Sequence, residues 1–193
     1  MPTALLVLAA GRSRRLGRPK QLLPFRGRPL LDAVLAVARA CPGDQRLVAL
    51  GGAADDVRAA VDLAGFEVVV NEAYGTGCSS SIAAAVPELA PGTDVVVLLL
   101  GDQPCVTTDA VRRLLDGRGD APLAVCRYDD GIGHPFAFGR EVLPDLARLH
   151  GDKAVWKLLE QRAADVVEVR VPGPVPLDVD TQQDYERLLS STA

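Results

Sequence analysis

The chain of 193 residues is poor in the residues that build metal and redox sites. It has two histidines and four well-separated cysteines: Cys41, Cys78, Cys105 and Cys126. No CxxC pair occurs, so the spacing argues against a zinc site or a dithiol redox site. The cysteines are expected to be buried or half-buried thiols in a reducing compartment. Aromatic residues make up only 4% of the chain, so aliphatic side chains must fill its core.

Long apolar runs and an excess of positive charge are also lacking. The first apolar run ends at Gly11, which makes it too short to cross a bilayer, and no charged segment precedes it as in a signal peptide. The net charge is −4, whereas nucleic-acid-binding domains are strongly basic. We therefore expect a cytoplasmic protein with no nucleic acid and no membrane as partner. One domain over residues 1–193 is expected, since chains divide reliably only above about 250 residues.

Apolar segments of strand length alternate with segments of helical period. Strands are predicted at 4–10, 46–50, 66–70, 94–100 and 121–127, with helices at 29–40, 54–63, 79–89 and 107–116. Beyond residue 128 the pattern predicts a short strand before Phe138, helices at 139–149 and 152–163, strands at 166–171 and 176–179, and a last helix from about 181 to 190. The main strands are apolar throughout, which is typical of a sheet covered on both faces. The predicted fold is α/β, a doubly wound, mostly parallel, Rossmann-like sheet with helices on both faces.

A cationic loop follows the first predicted strand. Between Gly11 and Asp32 it has no acidic residue, and it carries Arg12, Arg14, Arg15, Arg18 and Lys20. Glycines at 11 and 17 leave the amides of residues 12–17 free to point at an anion, while guanidinium groups and Lys20 add charge. We therefore predict a phosphate-binding loop, the alternative being a solvated basic loop. The residues of the loop fit neither a Walker loop nor the GxGxxG dinucleotide fingerprint. The absence of this fingerprint disfavours a nicotinamide-dependent oxidoreductase.

Two further polar clusters, residues 71–81 and GDQP at 101–104, also follow predicted strands. Ligands of open α/β sheets bind beyond the carboxyl ends of the strands, so the three clusters are expected to share one cleft.

The residues of these clusters carry a resemblance to a known family. LAAGRSRRLGRPKQLLP at 8–24 resembles the L-A-A-G-x-S-x-R-x-G…K signature of nucleotidyltransferases with a MobA-like fold. The similarity continues in NEAYGTGCSSSI, LLLGDQP, GHPFAF and PLDVDT, and these later segments resemble the molybdenum cofactor cytidylyltransferases most. The resemblance implies transfer of a nucleotide from a nucleoside triphosphate to a phosphorylated acceptor, with release of pyrophosphate.

The resemblance also implies roles for individual residues. The nucleotide would be bound by Leu8, Ala9, Ala10, Gly11, Arg12, Ser13, Arg15, Gly17, Lys20, Asn71, Gly77, Ser79, Ser80 and Asp102. Arg15, Lys20 and Asp102 would be catalytic, with Lys20 stabilising the leaving pyrophosphate. For Ser79 and Ser80 the alternative role is the N-cap of a helix. Ala10, where related guanylyltransferases often have glycine, favours CTP over GTP.

The implied cofactor is Mg²⁺, or Mn²⁺, bound by Asp102 and Asp180, since magnesium takes one or two carboxylates and keeps several waters. Asp102 could instead be a turn residue, and Asp180 could cap the last helix. In an extended segment Asp178 points to the opposite face, so Asp180 is preferred as the second ligand.

His134 is expected to face the acceptor, the alternative being a turn residue. Molybdopterin is the favoured acceptor, and a molybdoenzyme or its chaperone would be the protein partner. In the GDxGAR-like stretch of the family, Gly151, Asp152 and Lys153 match, but Ala154, Val155 and Trp156 replace the rest. A guanylyltransferase, a sugar- or alditol-phosphate nucleotidyltransferase and a cofactor-binding chaperone remain alternatives. The presence of both Lys20 and Asp102 argues against the chaperone.

Overall fold

A computed structural model describes residues 1–151 and 153–191 of the chain. The strands are β1 Thr3–Ala9, β2 Pro24–Phe25, β3 Arg28–Pro29, β4 Gln45–Leu50, β5 Glu67–Val70, β6 Val95–Leu100, β7 Leu123–Arg127, β8 Ile132–Gly139 and β9 Val166–Arg170. The helices are α1 Leu30–Ala40, α2 Ala54–Ala60, α3 Cys78–Ala85, α4 Thr108–Arg118, α5 Leu143–Leu146, α6 Ala154–Gln161 and α7 Gln182–Ser191. Within these described ranges, no helix is long and apolar enough to cross a membrane.

The central sheet is mostly parallel. Its strand order is β5-β4-β1-β6-β8-β7-β9, and β2 pairs with β3 in a separate small hairpin. Strand β1 is parallel to both β4 and β6, β5 is parallel to β4, and β9 is parallel to β7. Strand β8 is antiparallel to its two neighbours, β6 and β7. The parallel strands β1, β4, β5 and β6 therefore present their carboxyl ends at one edge of the sheet.

Helices cover both faces of the sheet, which explains the uninterrupted apolar strands. In β1, Leu5 and Val7 belong to a cluster that includes side chains of α1 and α4. The alternate residues Leu6 and Leu8 belong to a second cluster, with side chains of α3 and α6. Because successive side chains of a strand point to opposite faces, every position of β1 from Ala4 to Ala9 needs an apolar side chain. The doubly wound α/β prediction is confirmed.

The second half of the chain departs from the prediction in its details. Residues 176–179 are extended, but they join no strand ladder in the described structure. The predicted helix at 139–149 is reduced to a short turn of helix and α5, and the hairpin of β2 and β3 was not predicted. Thr107 is the N-cap of α4, where its hydroxyl accepts a hydrogen bond from the Ala110 amide. Asp152, of the GDxGAR-like stretch, lies outside the described residues.

Candidate active site

A cleft of about 710 Å³ lies at the carboxyl ends of β1 and β6. Its walls include many of the predicted site residues: Leu8, Ala9, Ala10, Gly11, Arg12, Ser13, Arg15, Lys20, Gly77, Asp102, His134 and Asp180. Asn71, Ser79, Ser80 and Gly17 are not among its lining residues. The loop after β1 and the turn after β6 thus lie in one cavity, because both strands end at the same edge of the sheet.

The cationic loop is folded around Ser13. This residue has a positive φ of 50°, and its carbonyl accepts hydrogen bonds from the amides of Leu16 (3.0 Å) and Gly17 (3.1 Å). Its hydroxyl accepts a hydrogen bond from the Lys20 amide at 3.0 Å. The amides of Leu16 and Gly17 are therefore already engaged within the loop, and the predicted anion cradle is reduced to residues 12–15. Gly17, with φ of 66°, turns the chain here without lining the cleft.

Asp102 reaches the cleft because the chain passes very close to β1. The amide of Gly101 donates a hydrogen bond to the Leu8 carbonyl at 2.8 Å. A Cβ atom at position 101 would lie 2.9 Å from the Ala9 Cβ and 3.0 Å from the Leu8 oxygen. Only glycine permits this approach, which places the next residue, Asp102, beside the start of the cationic loop.

Asp180 is brought to the same place by hydrogen bonds between distant segments. The Val179 amide donates to the Asp102 carbonyl at 3.0 Å. The Gln103 side-chain amide donates to the Pro176 carbonyl (3.2 Å) and to Asp178 Oδ1 (2.8 Å). These bonds hold residues 176–180 against the turn after β6. Asp178 therefore contacts Gln103, and Asp180 is directed at the cationic loop.

Thr181, rather than Asp180, caps the last helix. The Asp184 amide donates to the Thr181 hydroxyl at 3.2 Å, and the Asp184 carboxylate accepts from the Thr181 amide at 2.9 Å. This reciprocal pattern is a capping box, which satisfies the first amides of α7 without Asp180. The carboxylate of Asp180 is thereby available to the cleft.

The two carboxylates share a single ammonium group. Lys20 Nζ donates to Asp180 Oδ1 at 2.8 Å and also to Asp102 Oδ2. Arg15 contacts the second oxygen of Asp180 at 2.8 Å. Only 12% of the Lys20 side chain and 18% of the Asp102 side chain are exposed, against 67% for Arg15. The Lys20–Asp102 pair is therefore the inner contact, whereas the Arg15 contact is largely open to solvent and weak.

Charge pairing outweighs burial in this cluster. Burial alone would lower the pKa of Lys20, but the carboxylates of Asp102 and Asp180 raise it above its usual value. Burial alone would raise the pKa of Asp180, but Lys20 and Arg15 hold it below its usual value. Lys20 is therefore an ammonium and Asp180 a carboxylate at neutral pH.

The same carboxylates fit a divalent cation. Asp102 Oδ1 is buried and has no hydrogen-bond partner among the described residues, so it is an oxygen with a free lone pair. Asp102 and Asp180 already converge on one cationic centre, the Lys20 ammonium. Within residues 1–151 and 153–191, no group of three or more His, Cys, Asp or Glu side chains could hold a metal. A site with two carboxylates and several waters is the kind that magnesium accepts.

Asn71, Ser79 and Ser80 lie apart from the cleft, whereas Ser81 lines it. Asn71 is buried, and its side-chain nitrogen donates to the hydroxyls of Ser80 (2.8 Å) and Ser81 (2.9 Å). Asn71, Ser79 and Ser80 line a neighbouring depression of about 380 Å³. The N-cap of α3 is Gly77, with no side-chain cap, so Ser79 and Ser80 are not capping residues either. The geometry gives Asn71 the role of a support, which fixes the segment that carries Gly77.

Tyr74 and Gln21 are cleft residues that were not predicted from the sequence. The Arg12 guanidinium lies over the Tyr74 ring, 5.0 Å from its centre, and both residues line the cleft. A Cβ atom at Gly51 or Gly52 would collide with Tyr74, so the paired glycines after β4 make room for this ring. Buried Gln21 donates from its side chain to the Ala9 carbonyl and closes the start of the loop. The adjacent glycines after β4 were the one signal that could have indicated this packing.

Three aromatic rings pack together at the cleft, where His134 and Trp156 are lining residues and Phe136 is fully buried. His134 stacks on Phe136, with ring centres 4.0 Å apart and planes inclined by 28°. Trp156 meets Phe136 in a T-shaped contact at 5.3 Å. Burial lowers the pKa of His134 to about 3, so its ring is neutral at physiological pH. We call His134, Phe136 and Trp156 the aromatic end, and the loop 11–20 with Asp102 and Asp180 the charged end.

Comparisons with known proteins agree with this geometry. The profile of the MobA-like NTP transferase domain matches residues 5–166. The bifunctional protein GlmU of Halorhodospira halophila is 36% identical over 173 residues, which are 88% of this chain and 34% of that protein. The chain thus spans about a third of the length of the curated relatives it matches.

Two mycobacterial structures are similar over nearly the whole chain. The homologue of Rv0371c from Mycobacterium sp. strain JC1 has a TM-score of 0.92 and 51% identity, covering 98% of this chain and 96% of that one. Rv0371c of Mycobacterium tuberculosis H37Rv, in complex with manganese, has a TM-score of 0.90 and 48% identity, covering 99% and 100%. The chain therefore belongs to the MobA-like NTP transferase domain family and is a nucleotidyltransferase.

Proposed function

We propose that the chain transfers a nucleotide, CMP from CTP in preference to GMP from GTP, to a phosphorylated small molecule. An oxygen of the acceptor phosphate attacks the α-phosphorus of the triphosphate. The bond from that phosphorus to the bridging oxygen of the β-phosphate breaks, and pyrophosphate leaves with the electron pair. The observation that carries the proposal is the convergence of Asp102 and Asp180 on Lys20 at the mouth of the cationic loop.

The charged end supplies what this reaction needs. Arg12 and Arg15, with the amides of residues 12–15, would neutralise and orient the triphosphate. Lys20 is a compact charge on a flexible stem, so it can move from the carboxylates to an oxygen of the departing pyrophosphate. A charge that is positioned before the reaction stabilises the transition state more than the ground state, which raises turnover.

Asp102 and Asp180 are the residues that would hold Mg²⁺ or Mn²⁺. The metal would neutralise phosphate charge and assist alignment of the reacting groups. The unpartnered Oδ1 of Asp102 and the shared cation partner of both carboxylates support this assignment. The complex of the Mycobacterium tuberculosis relative with manganese supports a divalent metal as the cofactor.

The preference for CTP rests on the end of β1. Ala10 is buried, lines the cleft, and carries a methyl group where glycine would let a base approach the backbone closely. A pyrimidine needs less room beside this methyl group than a purine does. Leu8, Ala9, Gly11 and Gly77 line the same cavity and are the further residues proposed to contact the nucleoside.

Molybdopterin is the acceptor that we propose, with a molybdoenzyme or its chaperone receiving the product. A sugar or alditol phosphate is the alternative acceptor. We also propose that residues 1–193 work as one domain, since the cleft draws on Ser13 near one end and Asp180 near the other.

The decisive test is a screen of the four nucleoside triphosphates against a panel of phosphate acceptors, followed by pyrophosphate release. We expect activity with Mg²⁺ or Mn²⁺, CTP as the best donor, and loss of activity in excess chelator. Pyrophosphate release that is unaffected by the chelator would contradict the roles of Asp102 and Asp180. If CTP binds but no acceptor releases pyrophosphate, a cofactor-binding chaperone is the better description.

A further inference from the structure

The two ends of the cleft differ in charge. Its charged lining residues all belong to the charged end: Arg12, Arg14, Arg15, Lys20, Asp102 and Asp180. The lining residues from β8 and α6 are His134, Val155 and Trp156. None of these three is charged at neutral pH, since burial lowers the pKa of His134 to about 3. The charged end provides for phosphates, so a group bound at the aromatic end has to be recognised without ionic contacts.

Trp156 is held in a fixed orientation and yet remains open to the cleft. Its ring packs in a T-shaped contact with Phe136, which is fully buried and also stacks on His134. The residue is nevertheless 40% exposed, whereas its neighbour Val155 is buried at 4%. A large apolar ring left exposed in a concave site is more informative than one on a convex surface, since clefts are where ligands displace water from such rings.

The surroundings suit a flat ring. Stacking of a ligand ring on an indole strengthens binding by about two- to tenfold beyond the effect of the area that it buries. The loss of side-chain entropy is small, because tryptophan has two side-chain torsions and its ring here already packs against Phe136. A sugar or alditol needs hydroxyl partners, and the three lining residues from β8 and α6 offer only the neutral imidazole and the indole N–H.

We propose that Trp156 determines acceptor specificity by contacting a flat, uncharged ring of the acceptor. This contact is made at the aromatic end of the cleft, whereas the phosphate-binding loop belongs to the charged end. This inference rests on the proposed function, because it takes the nucleotide to occupy the charged end. His134 and Phe136 position the indole and do not themselves select the acceptor. The substrate class is a phosphomonoester that carries its phosphate on a planar ring system.

The chain allows a direct test because Trp156 is its one tryptophan. Intrinsic tryptophan fluorescence therefore reports on this site alone. The probes are benzyl phosphate and cyclohexylmethyl phosphate, which match in charge and carbon number and differ in flatness. Benzyl phosphate is expected to perturb the fluorescence and to bind about fivefold more tightly, in keeping with the energy of one aromatic contact. Equal binding of the two probes would overturn the proposal.

Variants separate stacking from mere structural support. By calorimetry, Trp156→Leu should lose the preference for benzyl phosphate, and Trp156→Phe should keep part of it. The control is Val167→Ala, at another exposed apolar position, on the edge strand β9, and it should retain the full preference. If the preference survives in Trp156→Leu, the proposal is wrong.

Nucleotide binding distinguishes this proposal from the proposed function. CTP affinity, measured by equilibrium dialysis, should be the same for Trp156→Leu and the unaltered chain. A loss of CTP affinity as large as the loss for benzyl phosphate would mean that the indole contacts the nucleobase, and this would overturn the acceptor assignment. If nucleotidyl transfer is absent but the preference for benzyl phosphate depends on Trp156, the proposed function fails and the recognition of a flat ring stands. If nucleotidyl transfer to sugar phosphates proceeds equally well in the unaltered chain and in Trp156→Leu, the proposed function stands and the recognition of a flat ring fails.

Discussion

The charged end and the aromatic end of the cleft are built in different ways. At the charged end, Lys20, Asp102 and Asp180 come from three distant segments and are held by hydrogen bonds and ion pairs. At the aromatic end, His134, Phe136 and Trp156 are held by ring contacts on a buried strand and a helix. Polar groups at the first end can exchange partners when a ligand binds, whereas packed rings keep their shape. This difference supports the proposal that the charged end performs the chemistry and the aromatic end selects the acceptor.

Removing Asp102 should disturb the charged end most. Asp102→Asn keeps the size of the side chain but removes the charge that would bind the metal and that pairs with Lys20. Turnover is expected to fall by about a thousandfold, the upper range for one preorganised electrostatic group. Steady-state pyrophosphate release measures the effect, with Asp120→Asn as an exposed control at another aspartate. Activity within a few-fold of the unaltered chain would remove Asp102 from the catalytic machinery.

Lys20→Ala should lower turnover by about a hundredfold, because a positioned charge on the leaving group is lost. Because the Lys20 side chain is largely buried, the substitution should also lower stability, since Asp102 and Asp180 would lose the ammonium group that they share. We expect the free energy of unfolding to fall by about 1–3 kcal/mol without metal, as when a buried acceptor is left unpaired. Added Mg²⁺ should restore part of this stability. Lys157→Ala, at an exposed position of α6, is the matched control, and normal turnover in Lys20→Ala would rule out the leaving-group role.

A smaller effect is expected where the nucleobase meets β1. CTP should exceed GTP by at least about tenfold in kcat/KM, since each buried group left unpaired by the wrong base is worth about 1–3 kcal/mol. Ala10→Gly should narrow the difference by admitting the purine. Competition between CTP and GTP in one assay measures the ratio of their kcat/KM values. Equal use of both by the unaltered chain would defeat the steric argument, and a preference for GTP would favour the guanylyltransferase alternative without affecting Lys20 or Asp102.

The last predicted effect is a pH dependence of stability at the aromatic end. The pKa of His134 is about 3 in the folded chain because of burial, against about 6.5 in the unfolded chain. Between these values only the unfolded state takes up the proton, so acid favours unfolding. Relative to His134→Gln, the unaltered chain should lose up to about 2 kcal/mol of stability from about pH 7 to about pH 5. Urea unfolding at the two pH values measures the stability of both proteins. A stability difference between them that does not change with pH would show that the His134 ring is accessible to protons in the folded chain.

Sequence patterns were reliable where one strand or one loop contains the whole signal. β1 and β6 could be predicted because their side chains are buried on both faces, which requires an unbroken apolar run. The cationic loop could be predicted from its own composition.

Prediction was poorer where a contact depends on a remote partner. Residues 176–179 have the composition of a strand, yet their bonds go to Asp102 and Gln103 instead of a ladder. Asn71 was expected at the nucleotide, but its side chain is directed at Ser80 and Ser81. A periodic pattern reports which side chains are apolar, and it does not report which polar groups will meet.

The sequence by itself determined the class of fold, the family and a cationic loop framed by glycines, because these depend on apolar periodicity and on residues adjacent in the chain. Only the tertiary structure decided that Asp102 and Asp180 meet at Lys20, from which they are 82 and 160 positions away along the chain. It also decided that Trp156 remains exposed beside a buried Phe136. Both outcomes have the same physical reason. The direction of a side chain is set by the packing of the whole sheet and its helices, and this packing is a sum of contacts between segments far apart in sequence.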